Sequence, residues 1–290
     1  MAFNWQTFRT RALTALIFVA VMLAGLLWNH WSFFILFSVI HFGCWVEYQK
    51  LVGLIDPGYQ KISTLHKYGV MIAGCSIMLY FTNRAYSIFG FHLNSLNWWP
   101  VLTFFVLIIL ELLFAKNKFP KNIGHSIFGL MYISLSLGLM ISLRNKGMSF
   151  KGETLFFDFG RLYPCLLIFS IWINDTMAYI VGSFIGKTPL SQISPKKTWE
   201  GTIGGAILAI IVMALLGPML IGQHTLHVAA IAAIAAVAGT FGDLLESKLK
   251  RMANVKDSGH IMPGHGGFLD RFDSLLLATP FVWIYVYFFV

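Results

Sequence analysis

From Gly242 to Asp273 the chain reads GDLLESKLKRMANVKDSGHIMPGHGGFLDRFD, and both flanks of this stretch are almost purely apolar. It holds five of the twelve acidic residues, Asp243, Glu246, Asp257, Asp270 and Asp273, and five of the 21 basic ones, Lys248, Lys250, Arg251, Lys256 and Arg271. Carboxylates are hard oxygen donors, and cations beside them hold phosphates. The implied chemistry is a Mg²⁺-type cation acting on a phosphorylated ligand. On a helix running to about Arg251, Asp243, Glu246 and Lys250 fall at i, i+3 and i+7, on one face. The loop that follows carries Gly259, Gly264, Gly266 and Gly267, whose freedom lets backbone N–H groups approach a phosphate closely; His265, among these glycines, is placed to touch one. Asp270 and Asp273 then open another helix. Acids are favoured at a helix start by capping and dipole alone, so the bland reading is a solvated, salt-bridged loop. Acids at helix ends, cations and a glycine loop in one stretch favour the site.

A second polar stretch, ISPKKTWEGTIGG from Ile193 to Gly205, sets Ser194, Lys196, Lys197, Thr198 and Glu200 at the start of an apolar helix. Hydroxyls, lysines and a helix N-terminus make an anion site. An N-cap with ordinary loop lysines explains the same residues. Asp175 stands inside an apolar segment, where a carboxylate costs about 2.5–3.5 kcal/mol on insertion scales, and it is read as lining a polar cavity. The competing reading is a hydrogen bond between helices. Glu47, at the end of another apolar segment, is placed to line such a cavity but takes no role from the sequence; Glu111 takes none either. Two tempting motifs fail. GSFIGKT, residues 182–188, is one residue short of a P-loop and ends a helix instead of following a strand. His260 and His265 lack the partners of a zinc site.

The elements that must position these groups are membrane helices. Of 290 residues, 57% are hydrophobic and 11% charged, and the mean hydropathy is +0.72. A soluble domain of this size carries roughly 25% charged residues. The expectation is an all-α, polytopic integral membrane protein, one membrane domain over 1–290. About nine transmembrane helices are expected, at 12–28, 31–46, 68–82, 98–115, 123–143, 163–185, 201–221, 226–244 and 274–290. Residues 1–160 supply variable N-terminal helices, and 163–290 the catalytic helices and loops. The first segment is read as a retained helix, not a cleaved signal. Ala178, Gly182 and Gly186 in the sixth helix, and Gly201, Gly204 and Gly205 in the seventh, form small-residue stripes that permit close packing. Cys44, Cys75 and Cys165 sit in apolar segments and read as core residues.

Placing the N-terminus inside puts 16 of the 21 basic residues in inside segments and five, Arg84, Arg144, Lys146, Lys151 and Arg161, outside. The positive-inside rule then places the N-terminus and the polar stretch in the cytoplasm. The net charge of +9 is spread over short loops. It suits anionic headgroups or a phosphorylated substrate, not nucleic acid.

The run SKLKRMANVKDSGHIMPGHGGFLDRFDS, residues 247–274, resembles the signature of the phosphatidate cytidylyltransferases (CDP-diacylglycerol synthases). Its serine, Lys250–Arg251 pair, Lys256–Asp257 pair and HGG-x-x-DR-x-D ending are all present. Met262 stands where leucine, isoleucine or phenylalanine is more usual. NDTMAYIVGSFIGKT and ISPKKTWEG, upstream, are similar to the same family, and residues 1–160 resemble it only in hydropathy. The resemblance implies an all-helical membrane enzyme, usually dimeric, in the cell membrane. Its reaction is CTP plus phosphatidate giving CDP-diacylglycerol plus pyrophosphate, in phospholipid biosynthesis. It implies Mg²⁺ held by Asp243 and Asp270, with a monovalent cation such as K⁺ associated with the site. The expected catalytic set is Asp243, Asp270, Lys250 and Arg271. Asp175, Ser194, Lys196, Lys197, Thr198, Glu200, Glu246, Arg251, Lys256, Asp257, His265, Gly266 and Gly267 are expected around the substrates. Two other classes compete: a CTP-dependent polyprenol kinase, which releases CDP, and an ion-coupled transporter, which moves solute without nucleotide. The absence of a clear internal repeat and the gathering of polar groups at one membrane face oppose the transporter.

Overall fold

The computed structural model describes residues 5–96, 98, 102–103, 105–106, 109, 119–152, 154–221, 224–259 and 266–290. Long apolar runs form its helices, two of them running through an internal proline, Pro218 and Pro280. Helix α1 spans Trp5–Leu27 and α2 His30–Ile55. Asn29 starts α2 with a reciprocal capping box, its side chain accepting from Ser32 N at 2.8 Å while Ser32 Oγ accepts from Asn29 N at 3.0 Å. Asp56 follows α2 and caps the short α3, Pro57–Gln60. Ser63 caps α4, Thr64–Tyr80. Helix α5, Phe119–Gly129, runs through a π-helical segment, Leu130–Leu135, into α6, Ser136–Asn145. Within that segment Ser134 Oγ accepts from Trp45 Nε1 and meets His41 Nε2, both at 2.9 Å, a polar knot between apolar helices. The remaining helices are α7 (Leu162–Ile185), α8 (Trp199–Ile221), α9 (Thr225–Met252) and α10 (Leu269–Phe289).

Two small hairpins depart from the all-helical expectation: β1 (Ser87–Ile88) with β2 (Phe91–His92), and β3 (Met148–Lys151) with β4 (Thr154–Asp158). The second lies between the expected helices at 123–143 and 163–185. Its end is held by a bidentate pair from the buried Arg144 guanidinium to Asp158, with Nη2 to Oδ2 at 2.6 Å.

Among the described residues, six helices are long and apolar enough to cross a membrane: His30–Ile55, Lys121–Asn145, Leu162–Ile185, Trp199–Met219, Thr225–Met252 and Leu269–Phe289. Ala12–Leu27 is a shorter apolar helix, and α4 has 17 residues. The expected span at 98–115 falls mostly on residues outside the described set. Several helices outrun their expected spans because polar side chains extend them past the apolar window; α9 continues from the expected 244 to Met252.

The chain divides into two compact units, Met1–Gly138 with Met252–Arg271, and Leu139–Arg251 with Phe272–Val290. Phe33, Phe37, Trp45, Tyr48 and Ile133 are buried in the first, and Leu166, Leu167, Ala232, Ala235 and Leu276 in the second.

Candidate active site

In the second unit, the site begins with how closely α7 and α8 approach. A Cβ on Gly201 would lie 2.7 Å from the Ala178 carbonyl oxygen, and one on Gly205 would lie 2.7 Å from Ala178 N. Only glycine lets the two backbones come that near. The loop joining them folds back on itself, with Trp199 N donating to Thr188 O at 2.9 Å and Leu190 N to Lys197 O at 2.7 Å. Thr198 Oγ1 caps α8 by accepting from Gly201 N at 3.1 Å. The Glu200 carboxylate accepts from Lys187 N and Thr188 N, each at 3.2 Å. Thr198 and Glu200 thus have structural partners that fix the loop. Lys197 N donates to Ser194 O at 3.1 Å, which closes a turn around Pro195 and Lys196. The run Gly182–Thr188 ends α7, with Gly186 N donating to Gly182 O at 3.0 Å, the C-terminus of a helix and not a phosphate loop.

This loop delivers Lys197 to α9, where its ammonium pairs with Asp243 Oδ2. Asp243 Oδ1 accepts from Ser247 Oγ at 3.1 Å, one turn on. Asp175 of α7, its Oδ1 accepting from Asn174 Nδ2 at 3.3 Å, is an exposed side chain within electrostatic reach of both Lys197 and Asp243. Asp273 of α10 interacts with the charges of Asp243, Asp175 and Lys197 as well. It lies beside Gly242, where a Cβ would sit 2.5 Å from the Asp273 carbonyl oxygen. Three acids therefore lie within electrostatic reach of one lysine. On the same helix Glu246 is fully buried and ion-paired with Lys250, i to i+4. The expectation that Asp243, Glu246 and Lys250 point together gives way to a division of labour. Asp243 faces Lys197, while Glu246 and Lys250 neutralise each other.

In the first unit, Ser258, Gly266, Gly267 and the start of α10 gather around two carboxylates. Asp270 Oδ2 lies within hydrogen-bonding distance of Ser258 N (2.9 Å), Ser258 Oγ (3.0 Å) and Gly267 N (2.8 Å). Gly266 holds φ at +81°, a left-handed backbone that favours glycine, and the Asp270 carboxylate lies where its Cβ would be. Glu47 of α2, buried, accepts from Ser258 Oγ at 2.7 Å, Phe268 N at 2.9 Å and Leu269 N at 2.8 Å. Sequence reasoning gave Glu47 no role, although an acid in an apolar helix was the same signal that singled out Asp175. Ser258 gave no sequence signal, because an isolated serine in a loop has none. Lys196, Arg251, Lys256, Asp257 and Arg271 are exposed. His265 lies outside the described residues.

Among the described residues no three His, Cys, Asp or Glu side chains gather as a metal-ligand set. Mg²⁺ seldom needs such a cage, since one or two carboxylates suffice when water and phosphate oxygens complete its shell. The donor chemistry fits: Asp243 offers a hard carboxylate, with the Asp175 and Asp273 carboxyl groups within electrostatic reach of it.

Fold and site together define a multi-pass α-helical membrane protein with acids and lysines suited to phosphates and a hard cation. Residues 9–289 match the model of the cytidylyltransferase family, so the chain belongs to that family. It is 35% identical over 199 residues to phosphatidate cytidylyltransferase of Bacillus subtilis (strain 168), covering 67% of this chain and 70% of that one. It is also 35% identical over 187 residues to the protein of the same name from Aquifex aeolicus (strain VF5), covering 62% of this chain and 63% of the relative. Similarity extends to phosphatidate cytidylyltransferase 4, chloroplastic, of Arabidopsis thaliana, 34% over 179 residues, 57% of this chain and 46% of the plant protein.

Proposed function

We propose that the protein is a phosphatidate cytidylyltransferase, converting CTP and phosphatidate to CDP-diacylglycerol and pyrophosphate at the cytoplasmic face of the cell membrane. One observation carries this reading. The ion pair of Lys197 with Asp243 joins the ISPKKTWEG segment to the acidic helix, uniting two stretches that resemble the family separately. The phosphate of phosphatidate is itself the nucleophile. An oxygen–phosphorus bond forms at the CTP α-phosphorus as the bond to pyrophosphate breaks, and no serine or cysteine nucleophile is needed. The protein's task is positioning and electrostatics. Lys196, Lys197, Lys250, Arg251, Lys256 and Arg271 are assigned to hold phosphate oxygens. Lys250 also balances Glu246, and a phosphate near Lys197 would compete with Asp243 for it. Asp243 and Asp270, by their place in the signature, would hold Mg²⁺, which when bound neutralises charge on the phosphates; a monovalent cation such as K⁺ belongs to the same proposal. Nine spans, a cytoplasmic N-terminus and a homodimer complete it. The distribution of basic residues, 16 of 21 in the proposed inside segments, supports the orientation.

The test is purified protein with CTP, phosphatidate and Mg²⁺. Release of pyrophosphate together with CDP-diacylglycerol is expected. Folded protein that releases neither would overturn the proposal, and release of CDP instead would favour a lipid kinase.

A further inference from the structure

One buried carboxylate of the first unit lies outside the signature stretch and yet serves it. Glu47 lies on α2, more than 200 positions before the residues it serves, and all three of its hydrogen-bond donors come from 258–269. Two of them, Phe268 N and Leu269 N, stand at the start of α10, the first just before the helix and the second its opening residue. The Glu47 carboxylate therefore does from another helix what an N-cap does locally: it satisfies donors that have no partner within their own helix. The third donor, the Ser258 hydroxyl, stands between Glu47 Oε2 at 2.7 Å and Asp270 Oδ2 at 3.0 Å. One hydroxyl carries one proton, so the position of Ser258 ties the two carboxylates together.

The fit around Glu47 is close on every side. A Cβ on Gly259 or on Gly267 would collide with its carboxylate. One turn earlier on the same face, Gly43 leaves the space in which the Phe268 ring rests; a Cβ there would strike the ring. Gly43 and Glu47, at i and i+4, form a two-part seat. The glycine receives the Phe268 side chain, and the carboxylate receives the backbone of the same residue. Asp270, two residues on, has its orientation set by this seat through Ser258 and Gly267.

We infer that Glu47 is a positioning residue for Asp270, and that α2 is thereby part of the reaction machinery. The inference rests on the proposed reading of Asp270 as a holder of the cation that accompanies the phosphates. Residues that orient a metal-holding side chain typically change metal affinity or activity by 10–100-fold when altered. Glu47→Gln keeps the size but replaces one accepting oxygen with an amide that faces donors. It should raise the Mg²⁺ concentration for half-maximal pyrophosphate release by about 10–100-fold. The KM for phosphatidate should stay within about twofold, and much of the lost rate should return at high Mg²⁺.

The decisive experiment uses full-length wild type, Glu47→Gln, Gly43→Ala and Asp270→Asn. Mn²⁺ binding is followed by electron paramagnetic resonance, beside thermal unfolding and the Mg²⁺ dependence of the rate. Weaker Mn²⁺ binding by folded Glu47→Gln is the expected result. Wild-type Mn²⁺ affinity in that variant, whether its rate is normal or is lowered equally at every Mg²⁺ concentration, would overturn the inference. Should Glu47→Gln fail to fold, Gly43→Ala decides. It displaces Phe268 without touching either carboxylate, and it should show the same increased demand for Mg²⁺; an unchanged demand would overturn the inference. Asp270→Asn separates the two levels: if it binds Mn²⁺ as the wild type does, the reading of Asp270 has failed, independently of Glu47.

Discussion

Asp243 and its partner Lys197 are both partly exposed, with side chains at 29% and 30% of full accessibility. An ion pair in that setting contributes roughly 0–1 kcal/mol to stability. The catalytic role proposed for Asp243 predicts an effect of a different size, because removing a group that organises charge at reacting phosphates costs about 10²–10³ in rate. Asp243→Asn should therefore lower kcat for pyrophosphate release by about 10²–10³, while thermal unfolding in detergent moves little. A variant with substantial kcat would show that Asp243 does not take part in the reaction. Glu246 and Lys250 invert this logic. Glu246 is fully buried and Lys250 is mostly buried, its side chain at 14% of full accessibility, so a change at Lys250 should disturb folding and activity together. Sequence spacing put Asp243, Glu246 and Lys250 on one face, which is correct for a helix. The Lys250–Glu246 pair follows from i, i+4 spacing on one helix, but spacing could not say that Lys197 would turn to Asp243, since that choice depends on a loop from elsewhere in the chain.

At the scale of elements, junctions matter more than helix interiors. Asp56 ends α2 and starts α3, accepting from Gly58 N at 2.9 Å and pairing with Lys121 at 3.0 Å and His125 at 3.3 Å. The Gly58 N–H and the Lys121 ammonium pull its carboxyl from an ordinary 3.8 down to about 2. Because the folded state binds the proton less readily than the unfolded chain, the junction is fully stabilising above about pH 4. That stabilisation is lost as pH falls toward 2. The difference in unfolding temperature between wild type and Asp56→Asn should be largest at neutral pH and shrink toward zero on acidification; a difference independent of pH would refute the assignment. The α7–α8 contact is a second junction. Gly205→Val would drive side-chain atoms into Ala178. It should destabilise the protein by about 1–3 kcal/mol and, by displacing the loop that carries Lys197, lower activity as well. Thermal unfolding and the pyrophosphate assay read the two effects separately. The small-residue stripes announced this contact in the sequence. The caps did not announce that Thr198 and Glu200 would be held by their own loop, because a hydroxyl or carboxylate before a helix suits an anion site equally well.

For the molecule as a whole, the distribution of charge makes the sharpest prediction. Lys61 follows α3 in a segment proposed to face the cytoplasm, and Ser149 lies on β3 in a segment proposed to face outward; both are exposed. In a background lacking the native cysteines, a membrane-impermeant maleimide should label Ser149→Cys in intact cells, and Lys61→Cys only after permeabilisation. The reverse pattern would invert the topology and with it the cytoplasmic placement of the CTP chemistry.

By itself the sequence determined the class of protein, most of the membrane helices and the stretches where acids, lysines and glycines gather. Apolar length, small-residue spacing and the run of acids and glycines are local properties, and a helix expresses them wherever it packs. Tertiary structure alone decided the partners. It set Lys197 on Asp243 and brought Glu47 from α2 to the start of α10, more than 200 residues away in the chain. A carboxylate advertises its charge in a sequence. The donors it will meet are fixed only when backbone N–H groups from distant segments are brought within hydrogen-bonding distance and left there without any other partner.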